Sequence, residues 1–297
     1  MEDNKITVTL PEKDRQELER RWKNAGIGND FIFSRVMRKE ELFLPLIQRI
    51  FPELKLCRVE KHVAQMTAVG PAGSKGVRYD VYSEINGRVF EVEMQMDSRG
   101  NEPKRTRYYQ CMIDEQVLSM GEDYSNLPES YIIMISPRDL FGKGRHIYRF
   151  RNIETTDHSL ELGDETMKIF LNSHGKDDVL PELKNFLDLV NGEEPEDDYC
   201  RALDQEVKIA KLDAETRRNY MEFEYMRMLD RIDAEKKGHE SGLREGIEIG
   251  QHEGIVKTLM SLVNEGSLPI DVAIKHSGLT EQEFRKQLEM YRDEKSS

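Results

Sequence analysis

Apolar and polar residues alternate along residues 77–96, on both sides of the dipeptide Asn86-Gly87. An Asn-Gly pair between two such runs predicts a β-hairpin with a two-residue loop, because both central positions of a type I′ turn need a positive φ. This loop fixes which residues of the two strands lie opposite each other. The predicted cross-strand pairs are Ile85 with Arg88, Glu84 with Val89, Tyr82 with Glu91, Asp80 with Glu93, and Arg78 with Gln95.

This register divides the hairpin into a polar and an apolar face, because successive side chains of a strand point to opposite sides. The apolar face suits packing on a core, whereas the polar face, which is rich in carboxylates, needs a functional explanation. The polar face carries Arg78, Asp80, Tyr82, Glu84, Glu91, Glu93 and Gln95. The apolar face carries Tyr79, Val81, Ser83, Phe90, Val92, Met94 and Met96.

Asp80 and Glu93 are predicted to lie directly opposite each other. Opposed residues have Cβ atoms about 4.5 to 5.5 Å apart, where two carboxylates repel unless a proton or a cation lies between them. Oxygen ligands favour Mg²⁺ or Mn²⁺, and Mg²⁺ commonly takes one or two carboxylates and keeps water on its other positions. The pair therefore indicates a divalent metal site. The alternative is an ordinary hairpin whose polar side is solvated.

The remaining hydrophobic pattern predicts an α/β core around the hairpin. Helical spacing runs from Phe33 to Phe51, with an interruption near Lys39. A helix between two strands implies a crossover and a parallel strand pair. Further predicted strands are Leu56–Val69, Tyr131–Ser136 and Ile147–Ile153, and further predicted helices are Tyr108–Met120, Met167–Leu171 and Leu183–Leu189.

The C-terminal third is predicted to be helical. Residues 199–237 are highly charged with few helix breakers, and glycines then recur every four residues from Gly238 to Gly254. Each glycine costs a helix up to about 1 kcal/mol relative to alanine, so this row suggests close contact with a second helix. We expect self-association through the row, with a flexible connection as the alternative. The apolar positions around it are Leu243, Ile247, Ile249 and Ile255.

These patterns divide the chain into four segments. Residues 1–29 form an N-terminal segment, and residues 30–195 form the α/β core, which ends within the acidic run 191–198. Residues 196–254 form long charged helices with the glycine row, and residues 255–297 form a small helical region. There Thr280 and Glu283 predict a capping box, at the entry of a helix-turn-helix that we expect to contact protein rather than DNA.

The formal net charge of -13 on 297 residues changes the expectation for nucleic-acid binding. A chain of this charge does not attract nucleic acid by its overall field, so any contact must be local. Three widely spaced cysteines, Cys57, Cys111 and Cys200, support neither a disulfide framework nor a zinc site. The sequence also lacks a signal-peptide layout and a long apolar run. These features predict a reduced, cytoplasmic protein without membrane passage.

A local basic stretch follows the hairpin. Residues 99–107 contain four basic side chains and a single acid at the start of a predicted helix. The free backbone N–H groups of a helix start add to the positive field there, which suits phosphate binding. Solvated surface charge is the alternative. The candidates for phosphate or DNA binding are Arg78, Lys104, Arg105 and Arg107.

The residues around the acid pair resemble those of a known nuclease family. Asp80, the hairpin and then Glu93-Met94-Gln95 resemble the D…(D/E)xK signature of restriction-endonuclease-like nucleases, with Gln95 in place of lysine. The segments RYDVY, FEVEMQ, RTRYYQ and SMGEDYSNLP are similar to those of the Rpn or transposase-like PD-(D/E)xK nucleases, which include recombination-promoting DNA endonucleases. The resemblance covers residues 30–191, and more weakly the helical tail.

This resemblance implies a restriction-endonuclease-like fold, with a mixed β-sheet core flanked by helices and an extended helical tail. It also implies Mg²⁺- or Mn²⁺-dependent hydrolysis of DNA phosphodiester bonds. Asp80 and Glu93 would bind the metal ion together with the backbone carbonyl of Met94, and Gln95 would position the attacking water.

The resemblance also implies a further acid, because nucleases of this type often direct a glutamate of the first packing helix at the metal. Glu40 and Glu41 are the candidates, and a surface acid favoured by the helix dipole is the alternative. Gln95 carries no charge to stabilise a pentavalent transition state, so Arg78, Arg105 or a second metal ion would have to compensate. The competing hypothesis is a weak or inactive nuclease fold that serves as a DNA-binding or protein-assembly module.

Overall fold

The computed structural model describes residues 12–68, 75–96, 100–177 and 179–296. Arg99, the first residue of the predicted basic stretch, lies outside the described residues. The chain divides into two compact units, the first ending at Phe223 and the second beginning at Glu224. The first unit contains the α/β fold and the candidate site.

The described part of the chain forms one mixed sheet, as predicted. Its strands are β1 (Val59–Ala68), β2 (Val77–Ile85), β3 (Arg88–Met94), β4 (Ser130–Ser136), β5 (Ile147–Phe150) and β6 (Thr166–Asn172). Their order across the sheet is β1-β2-β3-β4-β6-β5. Strands β1, β2 and β3 pair antiparallel, strands β3, β4 and β6 pair parallel, and β5 closes the edge antiparallel to β6.

The described residues of both units also form helices, and those of the first unit flank the sheet. They are α1 (Glu12–Asn24), α2 (Asp30–Val36), α3 (Glu40–Ile50), α4 (Glu102–Val117), α5 (Pro181–Val190), α6 (Asp198–Leu212), α7 (Ala214–Asn264), α8 (Ile270–Ser277) and α9 (Glu281–Ser296). Two short 3₁₀ turns lie at Pro52–Leu54 and Tyr124–Asn126. Lys39 separates α2 from α3, where the sequence predicts an interruption. Helix α4 connects β3 to the parallel strand β4, which confirms the predicted crossover.

The hairpin has the predicted turn. Asn86 and Gly87 have φ values of 51° and 73°, as a type I′ turn requires. Backbone pairing between β2 and β3 follows the predicted register from the turn as far as Val81 and Val92. The turn dipeptide therefore fixed the relative position of the two strands over this part of the hairpin.

The segment Met167–Leu171 is a strand, so the prediction of a helix there is wrong. It belongs to β6, which lies between β4 and β5. Most of its side chains are buried, because the strand is covered on both faces of the sheet. A short apolar run of this kind does not distinguish a buried strand from a helix, and the pairing with β4 decides the outcome.

Two large hydrophobic clusters, with a third small one around Met134, Tyr148 and Phe170, hold the described part of the first unit together. The main core joins the sheet to α2, α3, α5 and α6, with Phe33 and Phe186 among its fully buried side chains. A smaller cluster lies under α4 and contains Tyr79, Tyr82 and Tyr109. Full burial of one large apolar side chain contributes roughly 1.5 to 3 kcal/mol, so these two layers fix the sheet between its helices.

In the second unit, the glycine row belongs to α7 and is therefore helical rather than a flexible connection. The end of α7 packs with α8 and α9 around the buried side chains Phe284 and Leu288. The predicted capping box is present, because the Thr280 N–H donates to Glu283 (2.9 Å) and the Glu283 N–H donates to the Thr280 hydroxyl (3.3 Å). None of the helices in the described ranges is both long and apolar enough to cross a membrane.

Candidate active site

The candidate site lies where the backbone pairing of the hairpin ends. The β2–β3 ladder stops at Val81 and Val92, one position before the predicted Asp80–Glu93 pair. Beyond this point a side-chain hydrogen bond takes the place of backbone pairing between the strands. Oδ2 of Asp80 accepts this bond, of 3.0 Å, from the backbone N–H of Met94. Asp80 is thereby fixed against the carboxyl end of β3, beside Glu93.

The predicted alternation of the two faces fails next to Asp80. Val81 belongs to the main core, as predicted, but Tyr79 packs with Tyr82 and with the ring of Tyr109 on α4. Tyr79 therefore lies on the side of the sheet that was predicted to be polar. The strand is irregular here, so side chains two residues apart no longer share a face.

The predicted pair between Arg78 and Gln95 is also absent from the β2–β3 pairing of the described residues. The Gln95 N–H instead donates to the carbonyl of Ile135 on β4 (2.8 Å), and the Arg78 side chain donates to Gln65 on β1 (2.8 Å). Gln65 lies between Ala64 and Met66, which pair with Val81 and Tyr79 on either side of Asp80, and has a φ of 58°, which is unusual for a residue other than glycine. This distortion separates Arg78 from the end of β3.

Arg105 of α4 binds both polar residues at the end of β3. Its Nη2 donates to Oε2 of Glu93 at 2.8 Å, and its Nη1 donates to Oε1 of Gln95. Its Nε donates to the hydroxyl of Tyr109 at 2.7 Å, which fixes the orientation of the guanidinium. The positive charge that relieves the repulsion at Glu93 in this structure is therefore Arg105.

Burial dominates the electrostatics of the acids. It raises the pKa of Asp80 well above the ordinary range, and the charge of Glu93 raises it further. Burial likewise raises the pKa of Glu91, with further increases from Glu93 and Asp80. It also raises the pKa of Glu93, although Arg105 and the hydroxyl of Tyr109 act in the opposite direction. These acids therefore hold protons more tightly than ordinary carboxyls do.

The acid that a helix brings to the site is Asp30, which the sequence analysis did not single out. After burial, which is the main cause, its charge contributes to the raised pKa of both Asp80 and Glu93. Asp30 opens α2 directly after the N-cap Asn29, so in the sequence it resembles an ordinary first-turn acid. Glu41 lies exposed in the first turn of α3, and its metal-binding role stays a prediction.

The predicted phosphate-binding residues fall into two groups. Lys104 and Arg107 are exposed in the first turns of α4, on the helix that also carries Arg105. Arg78 lies on β2, two residues before Asp80, and contacts Gln65. Positive side chains from α4 and from β2 thus lie near the acids, which is the local arrangement that an acidic chain requires for phosphate contacts.

Several oxygens at the site have unused acceptor capacity. Among the described residues, no N–H or O–H group of another side chain or of the backbone donates to Oε1 of Glu93 or to either carboxyl oxygen of Glu91, and these two buried carboxyls lie close enough to share a proton. Buried polar atoms are normally paired, so such atoms call for a ligand or a proton. Within the described ranges no three acidic, histidine or cysteine side chains form a ready-made metal site. Two carboxylates with solvent fit Mg²⁺, which retains several waters.

A mixed sheet flanked by helices, with paired acids at the carboxyl end of a central strand, defines a restriction-endonuclease-like α/β fold. The sequence model of the PD-(D/E)XK nuclease family transposases matches residues 29–237. The chain belongs to this family, and the matched range includes Asp30, Asp80, Glu93 and Arg105. No curated protein and no solved structure matches the chain significantly.

Proposed function

We propose that the protein is a DNA endonuclease that hydrolyses phosphodiester bonds with a divalent metal ion, Mg²⁺ or Mn²⁺. The observation that carries this proposal is the buried Glu93, whose Oε1 is unpaired in the described structure while Asp80 lies beside it. A satisfied structural acid would have no oxygen left for a ligand. Membership of the nuclease family supports the same conclusion.

The metal ligands that we propose are Asp80, Glu93 and the backbone carbonyl of Met94, with Asp30 as the acid from the helical layer. A divalent ion bound there supplies Lewis-acid activation of the phosphate and of water. Asp80 is already oriented by the N–H of Met94 (3.0 Å), so it needs little rearrangement to serve as a ligand. Carboxylates with raised pKa values must lose their protons on metal binding, so affinity increases with pH.

The proposed role of Gln95 is to orient the attacking water, with Arg105 supplying the charge that Gln95 lacks. The guanidinium of Arg105 donates to both Glu93 and Gln95, so it lies beside the group that stands in the lysine position of the family signature. A fixed positive charge beside developing negative charge on the phosphate is a large catalytic effect in a water-poor site. Lys104 and Arg107 would contact the flanking DNA backbone.

A cleavage assay tests this proposal. Supercoiled plasmid is incubated with the parent protein and Mg²⁺, Mn²⁺ or EDTA, and nicked and linear products are separated on a gel. Asp80→Asn is the test variant and Glu129→Gln is its control, because Glu129 precedes β4 at the opposite end of the sheet and pairs with Arg88 at 2.5 Å. Metal-dependent products from the parent and Glu129→Gln, but not from Asp80→Asn, are expected. Equal cleavage by Asp80→Asn refutes the site.

A second candidate function is an assembly module that retains the fold without catalysis. The observation that favours it is the ion pair of Arg105 with Glu93 at 2.8 Å, which gives this buried acid a structural partner. The exposed apolar side chains Leu243, Ile247 and Ile249 on α7 are then the contact surface, and a second copy of the chain is the proposed partner. The glycines between them, such as Gly246, leave open space for a close backbone approach. Such a module assembles but neither binds Mn²⁺ nor cuts DNA.

A further inference from the structure

Three arginines lie together beside the acid pair, and the chemistry proposed above does not use them as a group. Arg35 is in the last turn of α2, Arg38 follows that helix, and Arg78 lies on β2. Oε1 of Gln65 accepts hydrogen bonds from Arg78 at 2.8 Å and from Arg38 at 3.4 Å. Elements from three parts of the chain therefore meet at one side-chain amide.

This arginine cluster, defined as Arg35, Arg38 and Arg78, is short of negative charge. In the described parts of the chain, none of the three forms a salt bridge with a carboxylate. Burial lowers the pKa of Arg38, and the charges of Arg35 and Arg78 lower it further. Like charges are thus gathered around a neutral amide, an arrangement that costs stability unless an anion binds.

Arg35 has a partial counter-charge, which separates its role from that of the other two arginines. Its Nε donates to the hydroxyl of Thr216 at 3.2 Å, and that hydroxyl donates in turn to Asp213 at 2.5 Å. The hydrogen bonds from Thr216 lower the pKa of Asp213, and Arg35 contributes to the same shift. Arg35 is therefore anchored behind the cluster, whereas Arg38 and Arg78 are exposed and share a neutral partner.

Gln65, which binds two arginines of the cluster, has an unfavourable backbone conformation. Gln65 has a φ of 58° within β1, a conformation that a residue with a side chain adopts rarely and that is concentrated at functional sites. The guanidinium of Arg78 also lies over the ring of Phe223, with 5.7 Å between its Cζ and the ring centroid.

On both β2 and α2, an arginine of the cluster lies a short way along the element from an acid of the site. Arg78 precedes Asp80 by two residues in β2, which corresponds to about 7 Å along a strand. Arg35 follows Asp30 by five residues in α2, which corresponds to about 7.5 Å along a helix. Helix α2 packs against β2. Asp30 contributes to the raised pKa of Asp80, and Arg35 and Arg78 contribute to the lowered pKa of Arg38, so acid lies near acid and arginine near arginine.

We propose that Arg38, Arg78 and Gln65 form a binding site for a backbone phosphate of DNA, next to the phosphodiester at Asp80 and Glu93. Arg35 acts behind it as a positioning residue. The proposal rests on the DNA substrate of the proposed function, but it concerns binding rather than hydrolysis. Two guanidinium groups match the oxygens of a phosphate, and the amide nitrogen of Gln65 can donate to the same anion.

DNA binding in EDTA tests this site without cleavage. Fluorescence anisotropy of a labelled duplex of two helical turns is measured across a salt series with the parent protein and with Arg38→Gln. Loss of one phosphate contact reduces the slope of log K against log salt by about 0.9, and weakens binding about eightfold at about 0.1 M salt. Arg38→Lys retains the charge and should retain the slope.

The matched control is Arg58→Gln, which changes the net charge by the same amount. Arg58 has a side chain that is 80% exposed, and it directly precedes β1, seven residues before Gln65 and about 23 Å away along the extended chain. Its removal should leave the salt slope unchanged. An equal loss of affinity in both variants shows an effect of overall charge and overturns the site, as does an unchanged slope in Arg38→Gln.

The stability of the DNA-free protein excludes a merely structural role. Because Arg38 faces like charges, Arg38→Gln should leave the melting temperature unchanged or raise it at low salt. A melting temperature lowered by several degrees, with DNA affinity equal to that of the parent, identifies Arg38 as a structural residue and overturns the proposal.

The outcomes distinguish this site from the nuclease. A parent that binds DNA through Arg38 but never cuts it refutes the nuclease and supports the phosphate site. A parent that cuts DNA while Arg38→Gln binds and cuts equally well supports the nuclease and overturns the phosphate site. A parent that binds no duplex at any salt concentration overturns it as well.

Discussion

Replacing Glu93 by glutamine tests the metal site most directly, because it removes one buried negative charge and keeps an oxygen that can accept from Arg105. Glu93 is 3% exposed and its Oε2 lies 2.8 Å from Nη2 of Arg105. We expect Glu93→Gln to abolish metal-dependent cleavage while the metal-free fold persists. The reason is that the charge of Glu93 is attracted to Arg105 and repelled by Asp80 with energies of similar size.

The two interactions can be estimated from the geometry. At an effective dielectric constant of about 20, unit charges about 4 Å apart interact by about 4 kcal/mol, which applies to Glu93 and Arg105. The charge of Glu93 also raises the pKa of Asp80, and a repulsion of about 3 kcal/mol corresponds to unit charges about 5 Å apart. Glutamine also avoids the cost of burying a charge. The free energy of unfolding without metal should therefore change by no more than about 1 to 2 kcal/mol.

The pH dependence gives a second readout of the same change. Because burial raises the folded-state pKa of Glu93 above 4.5, the folded protein binds this proton more tightly than the unfolded chain does. Its contribution to stability is full at low pH and is lost as the pH rises from about 4.5 through the raised value. Metal binding requires the deprotonated acid, so the metal-induced rise in melting temperature should grow over this window.

The assays are urea unfolding without metal, thermal unfolding with and without Mn²⁺ from about pH 5 to about pH 8, and plasmid cleavage. Glu129→Gln is the control, since it also removes a glutamate that pairs with an arginine but lies away from the acids. A loss of about 3 to 5 kcal/mol in metal-free Glu93→Gln would show that Glu93 is chiefly the structural partner of Arg105. Cleavage that survives the substitution would refute the metal site itself.

Three further predictions address the other residues of the site and the helical tail. Asp30→Asn should reduce cleavage by about 10- to 100-fold and shrink the Mn²⁺-induced rise in melting temperature. If Asp30 is the helix acid, Glu41→Gln should change the cleavage rate and this rise by less than about threefold each. Gln95→Lys should reduce cleavage, because lysine cannot accept the hydrogen bond from Arg105 and places a second positive charge beside it. If the double variant Gln95→Lys, Arg105→Gln is no more active than Gln95→Lys alone, this reasoning is wrong. Ile247→Gln should lower the molar mass measured by light scattering, because this side chain is 51% exposed beside the glycine row, and an unchanged mass argues against self-association there.

The hairpin shows how far local sequence information reaches. Asn86-Gly87 has a single favourable turn geometry, so it fixed the register that places Asp80 and Glu93 near each other. The interruption at Lys39 and the capping box at Thr280 were also predictable, because both depend on residues within one helical turn. Family membership followed from short segments that can be read without knowing the fold.

Burial was harder to predict than register. Glu91 was assigned to a polar face on alternation alone, yet it is fully buried, because α4 covers that side of the sheet. Tyr79 changes sides because the strand is irregular at Asp80, where Gln65 of β1 has a positive φ. The segment Met167–Leu171 became a strand because β4 offered it a parallel edge. None of these effects can be predicted from the identity of the residues concerned, because each depends on elements that are distant in the chain.

The sequence by itself determined the hairpin, the crossover and the pair of acids. The limits of several helices differ from the prediction, since α4 begins at Glu102 rather than Tyr108 and α7 continues to Asn264 through the predicted boundary at residue 254. Only the tertiary structure brought Asp30 to Asp80, Arg105 to Gln95, and Arg38 to Gln65. These contacts join elements that are distant in the chain, and their geometry depends on how the helices pack on the sheet. The charge of the site, and with it the chemistry, is therefore decided by packing rather than by the motif alone.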